Sequence, residues 1–216
     1  MVRIKICGIT NLADARAAIV AGADMLGLNF YGPSPRFIAP QDARAMIESL
    51  RAEIKALSRT VTMVGVFVNE PAESIVRIAA ETGVAAIQLH GDESVEFCRE
   101  LKALLPDRFL IKVLRARGNA VTEHAPEYNV DAIMLDAFDA ELRGGTGRTV
   151  DWHLARHTRD AVPRLFLAGG LSPENVRAAI DAVQPYAVDA CSALESAPGH
   201  KDAERMDAFV HAVRNG

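Results

Sequence analysis

The stretch VRIKICG, residues 2–8, is the part of the sequence from which the fold is predicted. Three apolar residues alternate there with Arg3, Lys5 and Cys7, as expected for a β-strand with one apolar face. Lys5 and Cys7 then share the other face. Gly8 lets the backbone turn immediately afterwards, because glycine has no Cβ. This predicts Cys7 at the carboxyl end of a first strand, where parallel α/β folds carry their chemistry.

Seven further short apolar runs follow, separated by segments with helical period. The predicted strands are Val2–Cys7, Met25–Phe30, Thr62–Val68, Ala85–His90, Phe109–Leu114, Ala132–Asp136, Arg164–Ala168 and Ala187–Ala190. The 216 residues divided among eight units give about 27 each, enough for a strand, a turn and a helix. The sequence therefore predicts a single (β/α)8 TIM barrel over residues 1–216, with its active site at the C-terminal face of the strands. An open doubly wound sheet is the main alternative, but it usually has fewer strands, and the G-x-G-x-x-G turn that it needs is not found.

The composition disfavours several classes of protein. With 50% hydrophobic residues, 24% charged residues and a formal net charge of −4, the chain is expected to be globular and cytoplasmic and to bind no nucleic acid and no membrane. No apolar run approaches the roughly 18 residues of a membrane span, and the first residues lack the apolar segment of a signal peptide.

The wide spacing of Cys7, Cys98 and Cys191 disfavours a disulfide framework. His153 and His157 have a spacing that can bind zinc, but no third ligand is apparent, so no metal is predicted.

The residue order within the strands indicates which side chains face the barrel interior. We expect the uniformly apolar set in each strand to meet the helices and the other set to point inward. The inward residues of chemical interest are then Lys5, Cys7, Asn29, Gln88, His90, Lys112, Asp136 and Asp189. Because so many buried polar groups need partners or a pocket, most are expected at the open carboxyl end. We interpret Lys5, Lys112 and Asp189 as structural groups that pair their charges inside the barrel.

Several of these side chains could carry chemistry. Cys7 could be a small buried apolar residue, but a cation on the same face, such as Lys5, would lower its pKa from about 8.5 and make a thiolate available. Asp136 could cap a helix or form an ion pair, and it could equally act with Cys7 as an acid and base pair. His90 is a weaker candidate, since it can simply end its strand. Arg36 could be a solvated loop charge or could hold a carboxylate through two parallel hydrogen bonds.

Glycine pairs indicate a phosphate site. Gly169 and Gly170 follow the seventh predicted strand and Ser192 follows the eighth, where barrels frequently bind phosphate. Gly145 lies in a further glycine-rich segment, GGTG at 144–147. Tight turns also need glycine, so it is the position after strand seven that favours the phosphate interpretation.

Eight motifs occur in order over essentially the whole chain. They are KICG at 5–8, GLNFYGPSPR at 27–36, VGVFVN at 64–69, QLHGDE at 88–93, LD at 135–136, GGTGRTVDW at 144–152, LAGGLSPENV at 167–176 and PGHKD at 198–202. Together they resemble the phosphoribosylanthranilate isomerase family. The resemblance implies a (β/α)8 barrel that catalyses an Amadori rearrangement in tryptophan biosynthesis, without cofactor or metal, as a monomer or homodimer. In that reaction a small phosphosugar, N-(5-phosphoribosyl)anthranilate, becomes 1-(2-carboxyphenylamino)-1-deoxyribulose 5-phosphate.

The resemblance also implies roles for individual residues. Asp136 would be the general acid that protonates the furanose ring oxygen, and Cys7 the general base that removes the C2 proton. Arg36 would clamp the anthranilate carboxylate. The other residues expected to bind the substrate are His90, Gly145, Gly169, Gly170, Ser192 and Ala193.

The segment after the eighth predicted strand departs from the family pattern. The family usually has Ser or Asn, then Ser and Gly, where this chain has Cys191, Ser192 and Ala193. Alanine keeps the backbone N–H that would meet phosphate but loses the freedom of glycine at positive φ. Cys191 is interpreted as an isostere of the usual serine.

Two other functions fit the same scaffold. The related histidine-pathway isomerase performs the same rearrangement, but it has an aspartate where Cys7 stands and holds phosphates at both ends of its substrate, whereas one convincing phosphate cradle is found in this sequence. A non-catalytic phosphate-ligand binding protein is the second alternative. Such a protein would have no reason to keep both Cys7 and Asp136 at the cleft.

Overall fold

Eight parallel strands form a closed barrel in sequence order, and the eighth strand pairs with the first. The structure is a computed structural model and describes residues 1–57, 59–115, 123–136 and 152–215. The strands are β1 (Arg3–Cys7), β2 (Met25–Asn29), β3 (Thr62–Phe67), β4 (Ala86–Leu89), β5 (Phe109–Arg115), β6 (Ala132–Asp136), β7 (Leu165–Ala168) and β8 (Ala187–Ala190). The predicted barrel is confirmed, and every strand begins and ends within one residue of its predicted bounds.

Helices alternate with the strands. They are α1 (Leu12–Ala21), α2 (Pro40–Ala56), α3 (Ala72–Thr82), α4 (Val95–Leu104), α5 (Trp152–Ala161), α6 (Val176–Val183) and α7 (Ala203–Arg214). Within the described ranges, 3-10 helices span Ala125–Tyr128 and Ser192–Leu194, and a short antiparallel hairpin pairs β9 (Glu195–Ala197) with β10 (His200–Lys201). In the part of the chain described above, no helix has both the length and the apolar character needed to cross a bilayer.

Local sequence signals set the helix ends. The Asn11 side chain accepts a hydrogen bond from the backbone N–H of Asp14 at 2.9 Å and begins α1. Gly22 ends the same helix in the left-handed conformation, with φ of 117°, which glycine adopts without strain. Asp202 caps α7 in the same way as Asn11 caps α1. Sequence and fold therefore agree at the level of individual turns.

Apolar side chains form two layers. The larger layer lies between the strands and the helices and includes Ile4, Ile6 and Leu28. The smaller layer fills the barrel interior. Most of its members stand at or near the start of their strands, among them Met25, Val64, Ala86, Ala132 and Phe166. Because the interior is packed towards the amino-terminal end, the open space is left at the carboxyl end.

One of the inward predictions is wrong. Ile111 and Val113 belong to the interior layer, so Lys112 between them points outward, level with Leu89 of the neighbouring strand. Its Nζ donates to Glu93 Oε2 and to the carbonyl of Gly91, each at 2.7 Å. The assumption that a polar residue in a barrel strand must face the interior fails here, because a buried carboxylate outside the barrel supplies the partner that the lysine needs.

Candidate active site

A cavity of about 280 Å³ opens at the carboxyl ends of the strands. Most of its wall comes from strand β6 and from strands β1, β7 and β8 with the loops that follow these three. The predicted site residues that line it are Cys7, Arg36, His90, Asp136, Gly169, Gly170, Ser192 and Ala193. The remaining predicted residue, Gly145, lies outside the described residues. Side chains from opposite ends of the sequence are thus brought to one cavity.

A buried ion pair lies beside Cys7. Lys5 is fully buried, and its Nζ donates to Asp189 Oδ1 at 2.8 Å across the β1–β8 pairing. Lys5 and Cys7 both approach Gly27 on β2, where an added Cβ would lie 2.7 Å from Cys7 Sγ and 3.0 Å from Lys5 Nζ. The thiol of Cys7 and the ammonium group of Lys5 therefore leave no room for a side chain at Gly27. Nothing in the sequence pattern indicated this role.

These neighbours favour the ionised form of Cys7. A hydrogen bond from the thiol of Cys191 is the largest influence, and with the cation of Lys5 it lowers the pKa of Cys7 well below its usual value, against the opposing effect of burial. The same hydrogen bond and burial raise the pKa of Cys191. Burial raises the pKa of Asp189 to about 7, although Lys5 opposes this shift. The surroundings of the two cysteines thus favour ionisation of Cys7 over ionisation of Cys191.

Asp136 ends β6 and faces His90. His90 Nε2 lies 3.5 Å from Asp136 Oδ2, and the two side chains are 36% and 24% exposed. The amide Nε2 of Gln88 lies 3.0 Å from Nδ1 of His90. With the amide nitrogen assigned as the donor, Nδ1 is the acceptor and the ring proton is assigned to Nε2, the nitrogen nearer the carboxylate. His90 therefore orients Asp136, a function that its place at the end of β4 did not reveal.

The loops after β7 and β8 present backbone to the cavity. Gly169 and Gly170 have φ of 91° and 68°, in the left-handed region that glycine occupies most easily. The Asn175 side chain holds this loop, since its Nδ2 donates to the Gly170 carbonyl at 2.9 Å and its Oδ1 accepts from the N–H of Ser172. A Cβ on Gly170 would meet no atom of the described residues within 4 Å, so among them the space in front of it is open. This geometry suits an anion next to bare backbone amides.

Arg36 reaches the cavity from the loop after β2 and is already paired with Glu195. Its Nε and Nη2 donate to the two carboxylate oxygens of Glu195 at 2.8 and 2.7 Å. Lys201 donates to Glu195 Oε1 at 2.9 Å from the hairpin. Burial alone would raise the pKa of Glu195, but hydrogen bonds from Arg36 and Lys201 lower it below its usual value. Residues 159 positions apart form this network, so no local sequence signal could have revealed it.

Gly8 makes room for the arginine. A Cβ there would lie 2.7 Å from Arg36 Cδ and 3.0 Å from Cys191 Sγ, and its φ is 76°. Glycine is therefore favoured in the turn after β1 for two reasons: the backbone there has a positive φ, and the aliphatic part of Arg36 packs against the turn.

His153 and His157 lie exposed on α5, in the outer ring. Over the described ranges, no group of three or more His, Cys, Asp or Glu residues is arranged to hold a metal ion.

Comparison with known proteins gives one family along the full chain. A sequence model of N-(5'-phosphoribosyl)anthranilate (PRA) isomerase matches residues 4–212. The enzyme of that name from Thermotoga maritima is 43% identical over 210 residues, 97% of each chain. Its counterpart from Trichlorobacter lovleyi is 40% identical over 214 residues, 99% of this chain and 98% of the relative.

Solved structures of the same family also superpose on this chain. The crystal structure of phosphoribosyl anthranilate isomerase from Thermotoga maritima superposes with a TM-score of 0.88 at 42% identity and covers 100% of both chains. A structure of the isomerase in complex with reduced 1-(o-carboxyphenylamino)-1-deoxyribulose 5-phosphate superposes with a TM-score of 0.84 at 40% identity, again over 100% of both chains. With a cavity that brings a cysteine thiol, a carboxyl group and open glycine backbone together, this chain belongs to the N-(5'-phosphoribosyl)anthranilate isomerase family.

Proposed function

We propose that this chain converts N-(5-phosphoribosyl)anthranilate into 1-(2-carboxyphenylamino)-1-deoxyribulose 5-phosphate, an Amadori rearrangement in tryptophan biosynthesis that needs no cofactor. The observation that carries the proposal is that Cys7, favoured as a thiolate, and Asp136 line the same cavity. An acid and a base on one sugar are what an aldose-to-ketose conversion requires.

Asp136 acts first, as the general acid. It gives its proton to the furanose ring oxygen, the bond from C1 to that oxygen breaks, and the lone pair of the anthranilate nitrogen forms a protonated Schiff base with C1. His90, with its ring proton directed at Asp136 Oδ2, holds the carboxyl group in place for this transfer.

Cys7 acts second, as the general base. Its thiolate removes the proton on C2, the electrons of that bond form the C1–C2 double bond, and the electron pair of the Schiff base returns to nitrogen. The resulting enolamine tautomerises to the ketone. Lys5 stays charged beside the thiol throughout, because Asp189 holds it.

Binding at both ends aligns the substrate between these two groups. Arg36 uses Nε and Nη2 for Glu195, so Nη1 is left for the anthranilate carboxylate. The loops of Gly169, Gly170 and Ser192 receive the phosphate through backbone N–H groups. Two anionic ends held on opposite sides of one cavity place C2 at the thiolate.

Cys7 favours this function over the two alternatives, a histidine-pathway isomerase and a non-catalytic binding protein. Cys7 stands where the histidine-pathway isomerase has an aspartate, and a binding protein needs no ionised thiol. We further propose that the chain acts in the cytoplasm as a single catalytic domain, as a monomer or a homodimer; a related isomerase from Thermotoga maritima is described as dimeric.

The test is to generate phosphoribosylanthranilate in situ and follow the loss of its fluorescence when the protein is added. The proposal predicts rapid loss with formation of the ketose product, which has the mass of the substrate, is separated from it by chromatography and gains two hydrogens when borohydride reduces its ketone. Fluorescence that persists while the protein binds the substrate would favour the binding-protein alternative.

A further inference from the structure

Two cysteines lie side by side where neighbouring strands end. The β1–β8 register pairs Lys5 with Asp189 and Ile6 with Ala190, so the next residues are Cys7, the last of β1, and Cys191, the first after β8. Both are free, both are partly exposed and both line the active-site cavity. The register that closes the barrel therefore also aligns two thiols.

The two side chains reach the same part of the cavity wall. Cys7 lies just before Gly8, where an added Cβ would lie 3.0 Å from Cys191 Sγ, and a hydrogen bond between the two thiols is the largest influence on the pKa of each. Adjacent strands lie about 4.8 Å apart, which falls within the Cα spacing of roughly 4.4 to 6.8 Å that disulfides require. The backbone therefore needs little rearrangement to join the two sulfurs.

The pair is also chemically unequal. The hydrogen bond from Cys191 and the cation of Lys5 lower the pKa of Cys7 and so favour its thiolate, the form that reacts with peroxides, whereas the pKa of Cys191 is raised. Lys201 Nζ lies 3.8 Å from Cys191 Sγ, so once Cys7 loses its negative charge a cation is at hand to favour ionisation of Cys191. By contrast, Cys98 is fully buried on α4, and burial raises its pKa to about 11.

We propose that Cys7 and Cys191 form a peroxide-sensitive pair whose disulfide reversibly switches off the active site. The Cys7 thiolate attacks one oxygen of hydrogen peroxide, the O–O bond breaks, and hydroxide leaves and takes up a proton to become water. Cys7 is then a sulfenic acid. The sulfur of Cys191 gives up its proton and attacks the Cys7 sulfur, the S–O bond breaks, and the hydroxide leaves with that proton as a second water. The two thiols lose two electrons and the peroxide gains them.

A serine at position 191 could not complete the second step. A Cys7 sulfenic acid without a neighbouring thiol is open to further, irreversible oxidation. Cys191 thus protects the proposed general base while it turns the enzyme off. The loss of turnover depends on the function proposed above, whereas formation of the disulfide does not.

The experiment uses the Cys98→Ala variant, so that Cys7 and Cys191 are the only thiols. Treatment with hydrogen peroxide is expected to lower the intact mass by two hydrogens, and non-reducing peptide mapping should join the segments that contain Cys7 and Cys191. Dithiothreitol should restore both the mass and the turnover. The matched variant Cys98→Ala/Cys191→Ser should instead gain oxygen on Cys7 and recover at least about tenfold less of its own starting turnover after reduction.

Each result decides the proposal. A peroxide-treated Cys98→Ala chain that gains oxygen without losing two hydrogens, a disulfide that joins two chains, or equal recovery of both variants would overturn it. If the untreated protein shows no isomerase activity, the mass measurement alone still decides, so failure of the proposed function is distinguishable from failure of this inference.

Discussion

Lys5 and Lys112 are both almost fully buried and both bond a carboxylate, yet they lie on opposite sides of the barrel wall. Lys5 pairs with Asp189 inside the barrel, beside the Cys7 thiol. Lys112 pairs with Glu93 outside it. A buried ion pair roughly balances desolvation against attraction, so neither pair is explained by stability alone. The difference lies in what stands next to each pair, a reactive thiol in one case and a loop in the other.

The outer pair fixes the loop after β4. Besides Lys112, Glu93 accepts hydrogen bonds from the backbone N–H of Asn69 and of Gly91. Glu93 therefore ties the loop after β3 to the loop after β4. The loop after β4 begins at His90, which faces Asp136. The outer pair supports the site without touching it.

The largest expected effect is on stability, from Lys112→Met. This change leaves the Glu93 carboxylate buried without its cation, which costs about 3 to 5 kcal/mol of unfolding free energy. Denaturant unfolding measures it, and Lys112→Met/Glu93→Gln should recover part of the loss. The pH at which kcat/KM falls should stay unchanged in both variants. A shift of that pH would mean that the outer pair also acts on the reacting groups.

The next largest effect is on turnover, from Cys7→Ala and from Asp136→Asn. Each should lower turnover at least about 100-fold with little change in folding, because each removes a proton-transfer group. Asp131→Asn is a matched control, since Asp131 lies just before β6, at the end opposite Asp136. Near-normal turnover in either site variant would remove that residue from the mechanism.

Lys5→Met sharpens the comparison between the two lysines. Loss of the buried cation raises the pKa of Cys7, although the hydrogen bond from Cys191 remains the larger influence. The acid limb of kcat/KM should therefore move to higher pH, and the rate below that limb should fall. Lys5→Met/Asp189→Asn removes the unpaired carboxylate if the single variant folds poorly. An unmoved pH profile in a folded variant would show that Lys5 does not tune Cys7.

A smaller effect is predicted on stability as a function of pH. The pKa of Cys7 is lowered in the folded chain, so between that value and the unfolded value of about 8.5 the unfolded chain binds the extra proton. Stability from this group therefore rises with pH through that window and is lost as pH falls through the folded pKa. Between about pH 7.5 and about 8.5 the slope should be at most about 1.4 kcal/mol per pH unit, and Cys7→Ala should abolish it. An equal slope in both chains contradicts an ionised thiol.

The sequence was sufficient to predict the barrel and most of the residues that line the cavity. The predictions that failed did so for physical reasons. Strand β1 is an example of success. Its strict alternation of apolar and polar residues indicates which side chains point into the barrel, and the glycine that follows indicates where the strand ends. Strand β5 shows the limit. Alternation assigns Lys112 to one of two faces, but only the distant Glu93 decides which face can bury a charge.

The same limit hid two features of the site. The hydrogen bonds from Arg36 to Glu195 and the contact between Cys7 and Cys191 join segments far apart in the chain. They follow from β8 closing on β1, so they become visible only once the register is known.

The most direct test of a thiolate base is to compare two pH profiles in the Cys98→Ala variant. One is the rate at which iodoacetamide alkylates Cys7, located by peptide mapping, and the other is the acid limb of kcat/KM for phosphoribosylanthranilate. The account predicts that both have the same midpoint, well below the value of about 8.5 for a free thiol. Midpoints that differ, or alkylation with the midpoint of a free thiol, would contradict it.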